Sequence, residues 1–285
     1  MTSERTSSQS ADTSAYRIRS FSRRGSRLGK KYEELVAQYG PMYMLDVPRL
    51  ESVSSLAADA FVDLAGAFGR EAPLAIEIGP GSGEQCVSWA LEHPEWNVLA
   101  VEAWSPGAAR CLARIVREGA ENVRILEADA AQALPVLFGL KSAGENAPER
   151  IVECGAEVDS AHPGAANARA QEIWTFFPDP WRKKRHHKRR LVNPAFAGIV
   201  AGCLGDGGVW RLATDWDDYA WQMRNVVEDS PYFENPYVGE RPDENDEEPE
   251  RGGFAPRWDG RIMTRFEQRG IDAGRTVHDV CGHVR

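Results

Sequence analysis

Pro178 and Pro180 close an aromatic, β-branched run, 173–177, and restrict what can follow it. A run so short and apolar reads as a buried strand, and neither proline can donate a backbone N–H to prolong a ladder or sit inside a helix. Asp179 is therefore held stiffly at a strand's C-terminal edge, where open α/β sheets bind ligands. Trp181 follows, and then residues 182–190 carry seven Lys or Arg and two His. In a chain of net charge -9, that local excess is a place to hold a polyanion. Taken singly, a proline-bracketed Asp reads as a turn residue and a charge run as a solvated face. Side by side, with an aromatic between them, they have the makings of a nucleobase pocket.

Upstream, residues 75–78 read as a strand running into Gly79-Pro80-Gly81-Ser82-Gly83, and 84–92 as the helix that follows. Small residues let a ligand approach backbone N–H groups at a helix N-terminus, so this is a nucleotide-type cradle. The spacing is Gly-x-Gly-x-Gly; the last glycine of a dinucleotide fingerprint is replaced by Glu84. Glu77, two residues before Gly79, would oppose a pyrophosphate but suit a cationic amino acid or sulfonium, which favours S-adenosyl-L-methionine over NAD. The next strand, 97–101, ends in Glu102, placed to accept ribose hydroxyls. A helix over 106–118 follows, with Ser105 as N-cap and Pro106 at its first position. Strand 123–127 leads to Asp129, which can accept from an adenine amino group.

Helices are expected at 32–39, 50–68, 193–204 and 219–229, strands at 208–213, 232–235 and 276–284. Asp215 then shares the rim of Asp179. Thr264, Phe266 and Glu267 carry groups suited to reading a base edge and stacking on it, although an ordinary amphipathic helix explains them nearly as well. Residues 1–16 are Ser/Thr-rich and expected to be disordered, 17–31 form a basic arm with seven Lys or Arg and no acid, and 141–171 and 239–252 are expected to be flexible insertions. The remainder, 17–285, is expected to be one domain, since a 285-residue chain with 42% hydrophobic content can bury one sizeable core. With no run of ~18 apolar residues and no hydrophobic signal core, neither a membrane span nor secretion is expected. Cys86, Cys111, Cys154, Cys203 and Cys281 are odd in number and lack Cys-x-x-Cys spacing, so they read as reduced core residues, with no metal site.

Glu77-Ile-Gly-Pro-Gly-Ser-Gly-Glu, Val101-Glu102, Phe177-Pro178-Asp179-Pro180-Trp181 with its basic run, Ala213-Thr214-Asp215 and Thr264-Arg265-Phe266-Glu267-x-Arg269-Gly270 occur in that order. In this the chain resembles the bacterial single-chain tRNA (guanine-N7)-methyltransferases over most of 17–285. It departs from their pattern at Pro80, Ala103-Trp104 and Ile262-Met263. The resemblance implies a class I methyltransferase (Rossmann-like) fold: a seven-stranded, mostly parallel sheet with helices on both faces and a last antiparallel strand. It implies methyl transfer from S-adenosyl-L-methionine to N7 of the variable-loop guanine, guanine 46, of tRNA. By position it implies cofactor contacts at Glu77, Gly79, Gly81, Glu102, Asp129 and Asp179, with Asp179 also catalytic. Substrate contacts are implied at Lys183, Asp215, Thr264, Arg265, Phe266 and Glu267. A cytoplasmic protein is expected, monomer or homodimer, without an obligate protein partner or a membrane. The rivals are an NAD-dependent oxidoreductase, a tRNA-binding protein without catalysis and an exocyclic-amine methyltransferase.

Overall fold

The computed structural model describes Ser20 and residues 27–49, 56–57, 59–141, 157–239 and 252–285. Seven strands form one sheet: β1 Leu74–Ile78, β2 Asn97–Glu102, β3 Val123–Glu127, β4 Ala170–Phe176, β5 Leu204–Thr214, β6 Phe233–Glu234 and β7 His278–Val284. Their order is β3-β2-β1-β4-β5-β7-β6. The pairings among β1 to β5 are parallel, and β7 runs antiparallel to both β5 and β6. This is the expected class I methyltransferase sheet with its antiparallel closing strand. The chain walks outward from β1 to β3 and then crosses to β4 on the other side of β1. Such a reversal opens a crevice at the carboxyl ends of the two central strands.

The helices are α1 Lys30–Tyr43, α2 Leu64–Phe68, α3 Glu84–Glu92, α4 Ser105–Glu118, α5 Ala130–Leu137, α6 Pro194–Cys203, α7 Asp217–Glu228 and α8 Arg265–Asp272. They cover both faces, which is why every residue of β1 and β2 is buried and why, apart from Glu77, Asn97 and Glu102, those strands are apolar. Alternate strand residues serve opposite cores. Ala75, Val98, Ala100 and Trp174 face Val87 of α3 and Leu112 and Ile115 of α4; Ile76, Leu99, Val101 and Ile173 face Leu134 of α5, Phe196 of α6 and Met223 of α7. Cys86, Cys111, Cys203 and Cys281 are buried free thiols; Cys154 lies outside the described residues. Among the described residues no helix is long and apolar enough to cross a membrane.

Three expectations change. The helix read over 50–68 is, in its described part, only α2; Leu56 instead bridges Arg49, and 50–55 and 58 lie outside the described residues. Ser105 is the first residue of α4 rather than its cap, because its hydroxyl donates to Glu127 Oε1 (2.5 Å) and Trp104 takes the cap position. The described end of the 141–171 insertion, 157–171, is built into the fold: Pro163–Ala166 is a 3₁₀ turn and Asn167 is buried. Residues 142–156, the 1–16 tail, 240–251 and all of the 17–31 arm except Ser20 and 27–31 lie outside the described residues.

Asn167 joins three distant segments, accepting from Leu64 N–H (3.0 Å) and donating to the carbonyls of Val62 and Leu137 (both 2.8 Å). Removing it strands two backbone groups away from water and frees a third that is half-buried. Asn167→Ala should therefore lose about 2–4 kcal/mol in urea denaturation, with the slope unchanged. A change under about 0.5 kcal/mol, the ordinary surface value, would show the loop to be peripheral.

Candidate active site

Four strands deliver carboxylates to one edge of the sheet. After β1, the loop holds Gly79, Gly81 and Gly83 at φ of 74°, 55° and 72°, a left-handed backbone that other residues adopt only with strain. A Cβ at Gly79 or Gly81 would meet nothing within 4 Å, so the loop's outer surface stays open. At Gly83 it would lie 2.7 Å from Cys111 Sγ, so glycine there serves the packing of α3 on α4. Glu102, at the end of β2, locks this loop: it accepts N–H groups from Gly81 (3.0 Å) and Trp104 (2.9 Å). Asp129 follows β3 and caps α5, accepting from Ala131 N–H (3.2 Å). Asp179 follows β4 and is exposed.

Gly79, Glu102, Asp129 and Asp179 meet around one cavity of about 380 Å³, closed by the aromatic side chains of Trp104, Phe176 and Phe177. Its lining carries three carboxylates and, among the described residues, no Lys, Arg or His. A pyrophosphate would find no countercharge there; a ligand with a sulfonium and an ammonium would. Gly81 does not line the cavity but is held to Glu102, which does, by its N–H. Glu77 is not among the residues that line the cavity: it is 5% exposed, beside Cys86 of α3, with Oε2 lacking a hydrogen-bond partner among the described residues. Burial raises its pKa to about 7, against hydrogen bonds from Cys86 and with help from the charge of Glu102. Burial also raises the Glu102 pKa, opposed by the N–H groups of Trp104, Gly81 and Ala103 and assisted by the charge of Asp179. Glu77 thus senses the charge of Glu102, and Glu102 that of Asp179.

The expected substrate residues divide into two sets. Lys183 is exposed at the start of the 3₁₀ turn Lys184–Arg189. Arg265 is also exposed, its N–H donating to Glu84 Oε2 (2.8 Å), and Phe266 is 53% exposed with its ring centroid 5.4 Å from that of Phe177. Asp215, in contrast, is buried and accepts from Arg275 Nε (2.7 Å). Thr264 caps α8 by accepting from Glu267 N–H (3.2 Å). Contrary to the expectation that it faces a base, Glu267 is fully buried, paired with Arg257 and, at 2.7 Å, with Arg261. Arg261 also holds Asp279 (2.7 and 3.0 Å). A carboxylate taken out of water between two guanidiniums fastens a helix, and little of it is left to read a base.

The basic run divides in the same way. Arg190 is buried, donating to Pro180 O, Gln222 Oε1 and Asp218 Oδ2 (2.8, 2.9 and 2.8 Å), and the Arg189 guanidinium lies 3.5 Å from the Trp181 ring centre. Arg182, Lys183, Lys184, Arg185 and Lys188 are exposed, with Arg182 stacked over Trp216 at 4.6 Å. Sequence reasoning missed Trp104 and Phe177 as cavity residues; for both, the available signal was an aromatic within two positions of a strand-end acid.

A family model described as "Putative methyltransferase" matches residues 71–143 and 158–280. A tRNA (guanine-N(7)-)-methyltransferase of Cutibacterium acnes is 40% identical over 92% of this chain and 81% of its own length. Those of a Nocardioides species (38%, covering 93% and 86%) and Paenarthrobacter aurescens (36%, covering 93% and 91%) are similar over comparable spans.

The buried Glu77 leaves a signature in stability. The folded protein keeps its proton to about pH 7, whereas the unfolded chain releases it near 4.5, so the stability this residue contributes is full below pH 4.5 and lost as the pH rises through 7. Wild-type unfolding free energy should therefore decline across that window by about 3 kcal/mol relative to Glu77→Gln. Parallel urea titrations of the two proteins between those limits would refute it by showing a constant difference.

Proposed function

We propose, from the premise that this chain belongs to the tRNA (guanine-N7-)-methyltransferase family, that it methylates N7 of the variable-loop guanine, guanine 46, of tRNA, with S-adenosyl-L-methionine as donor. The observation that carries this reading is the charge pattern at the exit of β4. Asp179 lies on an acid-lined cavity with no Lys, Arg or His among its described lining residues, and within nine residues the same segment exposes five cations toward solvent. An acid-lined wall suits a cationic donor, and the cations suit a polyanionic acceptor. Two groups that both need binding are thereby kept apart until they meet at Asp179.

The cavity fits the donor on its own chemistry. Glu102 and Asp129 offer acceptors for ribose hydroxyls and an adenine amine, and the open glycine loop admits the backbone of an amino acid. Bound S-adenosyl-L-methionine supplies an electrophilic methyl group on sulfur. Guanine N7 has a lone pair and no proton, so the protein has no proton to remove. Asp179 orients the base instead, accepting from N1–H or the exocyclic amine, and its charge favours the positive charge that develops on the purine. Lys183 and its exposed neighbours hold phosphates, and Arg265 and Phe266 flank the path of the base.

Incubating the protein with labelled donor and unmodified tRNA, then mapping the product by the strand scission that 7-methylguanine permits, tests the reading; label on an exocyclic amine would refute it. Asp179→Ala should lower kcat by about 100-fold with donor affinity nearly kept. Equal loss of both would make Asp179 a donor ligand only. Replacing Lys183, Lys184 and Arg185 together by Gln should weaken tRNA binding and reduce the slope of log K against log salt by about 2. An unchanged slope would remove these side chains from the interface.

A further inference from the structure

We infer that Phe177 is a positioning residue for the acceptor, its ring forming the wall on which the target purine stacks; this rests on the function proposed above. Among the described residues only two non-glycine positions have a left-handed backbone, Phe177 (φ 51°) and Trp181 (φ 46°), and they bracket Pro178-Asp179-Pro180. For an aromatic residue this conformation is strained, and strain persists where surrounding structure fixes it, as at functional sites. Here it is fixed on both sides. Phe177 N–H still donates to Ala213 O (2.8 Å), continuing the contact with β5, while Pro178 stiffens the chain beyond.

The turn has a consequence for the ring. In β4 the side chain of Thr175 is fully buried and its hydroxyl accepts from Trp210 Nε1 (3.1 Å). Two residues on, an undisturbed strand would send Phe177 to that same face. Instead Phe177 lines the acid cavity and lies 5.4 Å from Phe266, at 52° between the rings. The buried Arg261 guanidinium, 5.6 Å from the ring centre and itself neutralised by Glu267 and Asp279, backs it. Phe177 thus belongs both to the cavity wall and to an aromatic pair whose outer member is 53% exposed.

Phe177 is half-buried and its partner Phe266 exposed, and an aromatic pair that runs from an acidic cavity out to solvent beside a cationic face fits an unpaired base better than a protein core. A stacked purine is held in the plane it needs for N7 to point into the cavity. The ring face also attracts positive charge, so its hold strengthens as N7 becomes cationic, a differential contact that raises turnover more than affinity.

Asn and Gly accept a left-handed backbone without a ring, whereas Tyr keeps the ring at the same backbone cost. Steady-state kinetics on tRNA should give kcat lower by about 100-fold for Phe177→Asn and Phe177→Gly, with KM for tRNA within about three-fold. Phe177→Tyr should recover most of that loss, and S-adenosylhomocysteine affinity should fall far less than kcat in all three. Loss in Tyr equal to that in Asn, an unchanged kcat in Asn, or a matching loss of S-adenosylhomocysteine affinity would each overturn the assignment. Wild-type protein that forms no 7-methylguanine would overturn the reading beneath it, and is distinguishable because it precedes any variant.

Discussion

The way β4 ends governs the carboxyl edge of the molecule. A central strand must stop where its neighbours stop, and Pro178 and Pro180 ensure that it does by withholding two backbone donors. What they enclose is a single carboxylate that can neither retreat into the ladder nor drift with a loop. Around this fixed point the chain changes character within a few residues, from buried aromatics on the sheet to exposed cations in solvent. The left-handed turns at Phe177 and Trp181 are the geometric cost of so abrupt a change.

Placing several acids near one another is unfavourable unless something with positive charge completes the arrangement. Burial, with the charge of Glu102, raises the Glu77 pKa, and burial, with the charge of Asp179, raises that of Glu102. The protein answers differently at different depths. Glu102 is supported by backbone N–H groups from the glycine loop, so the acid and the cradle fix one another. Glu77 has an oxygen with no such support and holds a proton until near neutrality. By contrast, the acids beyond the cavity are neutralised outright: Glu267 and Asp279 by Arg261, Asp215 by Arg275. The acids near the cavity are held by backbone N–H groups or by burial, whereas those paired with guanidiniums lie where helices are fastened.

Local pattern and long-range pairing divide what could be read in advance. The strands 97–102 and 123–127 and the helix 84–92 fell where periodicity and the glycine loop put them, because each is short and punctuated. The acids at their ends followed from strand direction alone. What local pattern could not show were residues whose role depends on a distant partner. Arg190 looked like one cation among seven but is anchored to Pro180, Gln222 and Asp218; Glu267 looked like a base reader but meets Arg257 and Arg261. Asn167 sat in a stretch without periodicity, yet its amide joins segments more than a hundred residues apart along the chain. Phe177 was counted as the end of a strand, since nothing in the sequence announces that an aromatic will turn left-handed.

The same distinction separates anchoring from recognition within the basic run. Arg189 and Arg190 spend their guanidiniums on Trp181 and on α7, fixing the run's far end against the body of the protein. Arg182, Lys183, Lys184, Arg185 and Lys188 stay in solvent between that anchor and Asp179. A tethered cationic loop presents its charges at a set distance from the cavity, whereas a free one would hold phosphate without register. Long-range attraction alone would bring a polyanion to this face in any orientation. It is the stiffness at both ends of the run, proline on one side and a buried arginine on the other, that lets attraction deliver one base to one carboxylate.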